Sequence, residues 1–188
     1  MATRYISTKL FENYSVAIRQ YKAAHSHCQL LHGYALKFKV WFESVEPLEE
    51  NQLDEMNWIQ DYGGFKSVDA QPTPGNGLKD WMNDKFDHTL LIEKDDPQLE
   101  TFIYLQELGL AKLTIMDKIG AESAAKMVYD RFNERLALTG GGRVKVTKVE
   151  CFENDSNSSI YTEDIKPMSK TYMETYLNEY RSNSKYEF

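Results

Sequence analysis

The clearest pattern along the chain is an alternation: Tyr34, Leu36, Phe38, Val40 and Phe42 interleave with Ala35, Lys37, Lys39, Trp41 and Glu43. Period two of this kind predicts a strand with one buried face. Upstream, Val16 and Ile18 make Phe11 to Ala24 a second strand candidate, with a turn around Ser26 to Leu30, so the two strands read as a hairpin. Glu46 to Glu55 is polar and reads as a loop, Trp58 to Val68 as a helical start, and Val68 to Gly77, with two prolines and two glycines, as a surface loop. Leu78, Trp81, Met82 and Phe86 then recur at helical spacing, ending at Asp87 and His88. Asp95 to Gln98 is a turn leading into a helix with Leu99, Phe102, Ile103 and Leu105.

Glu122 to Leu138 predicts the strongest helix, with Ala125, Val128, Phe132 and Leu136 on one stripe and a stop at Gly140 to Gly142. Val144 and Val146 open a third strand whose apolar phase shifts to Val149 and Cys151, the mark of a bulge. A short fourth strand lies near Ser158 to Tyr161, and Met173, Tyr176, Leu177 and Tyr180 suggest a C-terminal helix within Met168 to Tyr180. The order is two strands, helices, two strands, helix, which is an α+β pattern. Residues 1–165 are expected to form one domain and residues 166–188 a helical extension.

Composition narrows the function classes. The 188 residues are 41% hydrophobic and 13% aromatic, enough for a core. A net charge of -7 with scattered Lys and Arg argues against a nucleic-acid binder, which needs a basic face. No apolar run reaches signal-peptide or membrane-span length, so the expectation is a soluble, cytoplasmic protein with no membrane partner. Two cysteines, Cys28 and Cys151, do not make a disulfide scaffold.

Chemistry concentrates in HSHCQLLHGY, His25 to Tyr34, which holds three of the four histidines and one cysteine. In phase, His32 follows Tyr34 and Leu36, while His25 and His27 share a face. Three imidazoles could hold a catalytic zinc, which takes three protein ligands and keeps one open position; the other reading is ordinary hydrogen-bonded histidines near a turn. Cys28 is either a reactive thiolate or a small buried residue. Asp87 beside His88 is either a proton-shuttling pair or a surface pair. Glu153, on an apolar phase, is either a buried carboxylate requiring N–H donors or an exposed residue on an edge strand.

Together these residues carry a resemblance. Tyr21 to His25, YKAAH, and Cys28 to Tyr34, CQLLHGY, resemble the F-x-A-A-H and C-x-x-x-H-G-H signature of the 6-pyruvoyl and 6-carboxytetrahydropterin synthase family. Similarity continues through WIQDYGGFK, FDHTLL, GAESAAKMVYD and VECFENDSNSSIY, across most of residues 10 to 162. The resemblance implies a tunnelling fold: a four-stranded antiparallel sheet with two helices between strands two and three, assembled as a ring-forming homo-oligomer, a hexamer being one such ring, with active sites at subunit interfaces.

It also implies a zinc-dependent enzyme acting on 7,8-dihydroneopterin triphosphate. The leading expectation is release of acetaldehyde and triphosphate to leave 6-carboxytetrahydropterin, on the route to 7-deazaguanines such as queuosine. The alternatives are 6-pyruvoyl tetrahydropterin synthase activity and a non-catalytic pterin-binding homologue. By matching position, Cys28 is the proton-abstracting cysteine and Asp87 and His88 the relay pair. Glu153 is the anchor of the aminopyrimidine edge, and Glu122 is a second glutamate near the pterin. The chain departs from the pattern where Tyr34 stands in place of the second histidine of H-G-H, which leaves His25, His27 and His32 as the expected zinc ligands. It departs again where Ile119, Gly120 and Ala121 replace a Thr-rich turn.

Overall fold

The computed structural model describes residues 5–45, 53–65, 77–139 and 143–163. Strands β1 (Ile6–Arg19) and β2 (His32–Ser44) form the antiparallel hairpin, helix α1 (Leu78–Phe86) leads into β3 (Thr89–Glu93), and α2 (Leu99–Glu107) leads into β4 (Leu113–Met116). Helix α3 (Ala121–Thr139) precedes the hairpin of β5 (Val144–Phe152) and β6 (Ser158–Thr162). The sheet order is β4-β3-β1-β2-β5-β6. The α+β architecture stands as expected, but the sheet has six strands rather than four, and three helices rather than two lie between the second and third of the expected strands. The expected antiparallel set is β1, β2, β5 and β6; β3 and β4 add to the β1 side, parallel to β1 and to each other.

These two strands escaped the periodicity because they carry none. All five residues of β3 are buried. Leu91 joins the large cluster under α1 and α3, whereas Leu90 and Ile92 pack with Phe102 of α2 on the other face. A strand covered on both faces reads as a short apolar run, with no alternation to mark it. Helix α2 therefore lies on the opposite side of the sheet from α1 and α3.

The main core joins the inward phases of β1, β2 and β5 to the apolar stripes of α1 and α3, with Phe38, Val40, Phe42, Met82, Phe86, Val128 and Phe132 fully buried. Removing any one of these Phe rings would cost about 3–5 kcal/mol through lost transfer energy and the cavity left behind. The bulge expected in β5 is present, with the register shifting opposite Trp41 and Phe42. A second lies in β1 between Phe11 and Tyr14, where Asn13 takes a left-handed φ of 72°. Asn accepts that conformation more readily than most residues.

Trp58 to Phe65 does not start an α-helix. Met56 and Trp58 donate backbone N–H bonds to Asp54 Oδ1, and Gly63 donates to Asp61 Oδ1, so side-chain caps bend the segment into turns ending in one 3-10 turn at Gly63–Phe65. The C-terminal helix expected over Met168 to Tyr180, most of the loop expected over Val68 to Gly77 and the glycines 140–142 lie outside the described residues.

Candidate active site

Strand β1 ends at Arg19, so residues 20–31 are turns and a 3-10 segment, and the strand phase no longer governs His25 and His27. The backbone here is fixed by two bonds. Gln20 N–H donates to the Cys28 carbonyl at 2.9 Å, and Cys28 N–H donates to Ser26 Oγ at 3.2 Å. Cys28 and His25 thereby line one cavity of about 460 Å³ with Gln20, Lys22, Glu93 and Ile119. That volume lies within the range of small-molecule sites.

His27 leaves that cavity's lining and packs edge-on to His32, with ring centres 6.3 Å apart; His32 in turn lies 5.1 Å from the Tyr34 ring. His32 Nδ1–H donates to the Leu30 carbonyl at 2.8 Å, which leaves the lone pair of the neutral ring on Nε2. That Nε2 is buried without a hydrogen-bond partner.

Tyr34 occupies the junction. Burial, and after it the charges of Glu153 and of a Cys28 thiolate, push its phenol upward, so at neutral pH it is a neutral O–H donor. Glu153 follows β5 in the phase of buried Cys151, and its backbone N–H closes the β5–β6 turn on the Asn157 carbonyl at 3.0 Å. Burial and then Glu153 and Glu122 drive the Cys151 thiol well above its ordinary range, so Cys151 is an inert core residue between two carboxylates. Glu122 sits in the first turn of α3, where the helix dipole favours a carboxylate, and accepts a bond from Ser159 Oγ at 2.9 Å. Cys28, Tyr34, Glu153 and Glu122 thus gather at one end of the helix-covered face.

Gly120 joins the two halves. Its φ is +147°, and a Cβ there would stand 3.0 Å from Glu122 Oε2 and 3.4 Å from Gln20 Nε2. Only glycine lets the α3 entry carry Glu122 this close to the turn that holds Cys28.

Asp87 and His88 are elsewhere. His88 Nδ1–H donates to Asp87 Oδ1 at 2.9 Å, and His88 takes a left-handed φ of 53°. The turn that holds them is clamped. Thr89 Oγ1 donates to the Asp87 carbonyl at 2.9 Å, Thr114 Oγ1 to the Lys85 carbonyl at 2.9 Å, and Lys112 Nζ to the Asn83 carbonyl at 3.1 Å. This pair starts β3, whereas Glu93 of the Cys28 cavity ends it. At about 3.3 Å per residue the strand separates them by roughly 17 Å.

The family model for 6-pyruvoyl tetrahydropterin synthase matches residues 6–164. The chain belongs to the 6-pyruvoyl tetrahydropterin synthase family. Over 72 residues it is 26% identical to a 6-carboxy-5,6,7,8-tetrahydropterin synthase of Rickettsia felis; that stretch is 38% of this chain and 41% of the relative. Among solved structures, an uncharacterised protein of Wolinella succinogenes superposes with a TM-score of 0.66 at 18% identity, covering 86% of this chain and 99% of the other. The 6-pyruvoyl tetrahydropterin synthase of Caenorhabditis elegans gives 0.51 at 13% identity, covering 86% and 97%. That of Plasmodium vivax gives 0.55 at 11%, covering 86% and 99%. At these identities the structural likeness speaks for the fold.

Of the three expected zinc ligands, His27 and His32 lie together, with the His32 Nε2 buried and free, while His25 faces the Cys28 cavity. Among the described residues no group of three or more His, Cys, Asp or Glu is placed to hold a metal. No helix among the described residues is long and apolar enough to cross a membrane.

The sequence pattern also passed over a cluster at the Cys28 cavity. Glu93, 5% exposed, accepts from Lys22 Nζ at 2.7 Å and from Lys118 Nζ at 2.5 Å. Burial alone would raise this carboxyl, but the bonds from Lys118 and Lys22 outweigh it and hold the group below its ordinary value. A carboxylate closing the apolar run TLLI was the available signal, and it becomes visible only once that run is known to be a strand.

Proposed function

We propose that this chain is a pterin synthase acting on 7,8-dihydroneopterin triphosphate, of the kind that yields 6-carboxytetrahydropterin with loss of acetaldehyde and triphosphate. The gathering of Cys28, Tyr34, Glu153 and Glu122 at one end of the sheet carries the reading, and the name of the Rickettsia relative favours the 6-carboxy product. The Glu153 carboxylate would accept two N–H bonds from the aminopyrimidine edge of the pterin. The neutral Tyr34 phenol, standing between that anchor and Cys28, would donate to a substrate oxygen. Cys28, as thiolate, would take the proton from the side-chain carbon.

Asp87 orients His88 through Nδ1, which leaves Nε2 to accept and return protons. With this pair just before β3 and Glu93 of the Cys28 cavity at its end, the reading has a second copy bring its own Asp87 and His88 to the cavity. The assembly would thus be a homo-oligomer with composite sites.

Incubation with 7,8-dihydroneopterin triphosphate and chromatography of the products tests the reading. Acetaldehyde and 6-carboxytetrahydropterin are expected; a 6-pyruvoyl product would change the subtype, and binding without turnover would favour a pterin-binding homologue. Metal content measured on the same samples should fall in His32→Ala and stay unchanged in His25→Ala, because His32 alone presents a prepared ring nitrogen.

A further inference from the structure

The turn after β1 and the turn before α3 each send one lysine to the same carboxylate oxygen, Glu93 Oε1. Stabilising a buried carboxylate takes one cation with good geometry. Here there are two, so one positive charge is in excess around Glu93, which with Lys22 lines the Cys28 cavity, in a chain whose net charge is -7. The neighbouring cations do not share this position: Arg19 is taken up by buried Asp96, and Lys94 by Asp117 at 2.7 Å.

Glu93 is held beneath, its side chain 7% exposed, while Lys22 and Lys118 are 56% and 61% exposed. An ammonium has three N–H donors. Each lysine gives one to Glu93 and retains others for a ligand. Lys22 is also steadied 4.9 Å from the Tyr21 ring, and His25 lines the same cavity.

We propose that Lys22 and Lys118 form a polyphosphate-binding subsite at the cavity of Cys28, with Glu93 as the internal anion that holds the two ammoniums together until a phosphate chain takes over their free donors. The inference deepens the reading of this cavity as the substrate site and rests on it for the identity of the phosphate carrier. Lysine binds phosphate as a point charge, so the subsite selects charge density over shape. It also follows that inorganic triphosphate, released in the proposed reaction, competes with substrate.

The test is calorimetric titration of the full-length chain with inorganic tripolyphosphate and, separately, orthophosphate, at low ionic strength. Tripolyphosphate should bind more tightly than orthophosphate. Each of Lys22→Gln and Lys118→Gln should weaken it by about tenfold, the worth of one charge-assisted bond. Glu93→Gln, which removes the competing anion, should tighten it, the sign a merely structural ion pair would not give. Should Glu93→Gln fail to fold, the double arginine variant, which keeps both charges, should retain wild-type affinity.

Unchanged tripolyphosphate affinity in the double glutamine variant, or equal affinity for the two anions, would overturn the subsite. If wild type turns over the pterin with a KM that the double glutamine variant shares, the subsite is wrong and the proposed function stands. If tripolyphosphate binds in the expected pattern without pterin turnover, the subsite stands and the proposed function is wrong.

Discussion

Glu153 and Gly120 mark the two ways in which a single residue serves the candidate site, one by charge and one by the side chain it lacks. Glu153→Gln keeps the shape but replaces a carboxylate that can take two N–H bonds with an amide that offers one acceptor. Pterin affinity measured by fluorescence titration should fall tenfold or more, about 1.5–3 kcal/mol, with the melting temperature unchanged. Gly120→Ala meets both a φ of +147° and the Glu122 carboxylate. It should destabilise the chain by about 1–3 kcal/mol in urea unfolding and weaken pterin binding as Glu122 is displaced. Cys28, Asp87, His88, Glu122 and Glu153 were legible as candidates because each lies in a short local pattern. Lys22, Glu93 and Lys118 were not, because they meet only through the pairing of β3 with β1 on one side and with β4 on the other.

Among the elements, legibility followed exposure. Strands β2 and β5 each keep one face out of the core, so their alternation is written in the sequence down to the phase shift at Val146 and Val149. The run TLLI of β3 has no such alternation because it is buried on both faces, and LTIM of β4 hides its own because the buried position is Thr114 and the half-exposed one Ile115. The end of β3 nonetheless has a measurable signature. Glu93 is held below its ordinary value of 4.5, so the stability it contributes is complete above that pH and is lost as acid takes the pH down through its lower folded value. Urea midpoints followed from neutral pH into acid should decline below about pH 4.5, and in Glu93→Gln that decline should be shallower. A curve of equal slope in both proteins would show that the two lysine bonds do not hold the end of β3.

For the whole molecule, the proposed composite site makes assembly a condition of turnover, and this can be tested. Cys28→Ala and His88→Ala should each be inactive alone. Mixed one to one with subunit exchange, they should recover about a quarter of wild-type activity, since that fraction of composite sites draws an intact residue from each chain. No recovery on exchange would mean that each chain builds its site unaided. The fold class was readable from element order, whereas the placing of Asp87 and His88 at the opposite end of β3 from Glu93 was not, because it depends on a strand that the pattern did not announce.

The sheet also ends, among the described residues, on two strands without charge or proline: LTIM at β4 and SSIYT at β6, with Ile115 and Ile160 about half exposed. Edges of this kind carry none of the residues that ordinarily discourage strand-to-strand sticking. Left uncovered, such edges invite strand-to-strand aggregation, so overexpression would lose the protein to precipitate before the fold itself is lost.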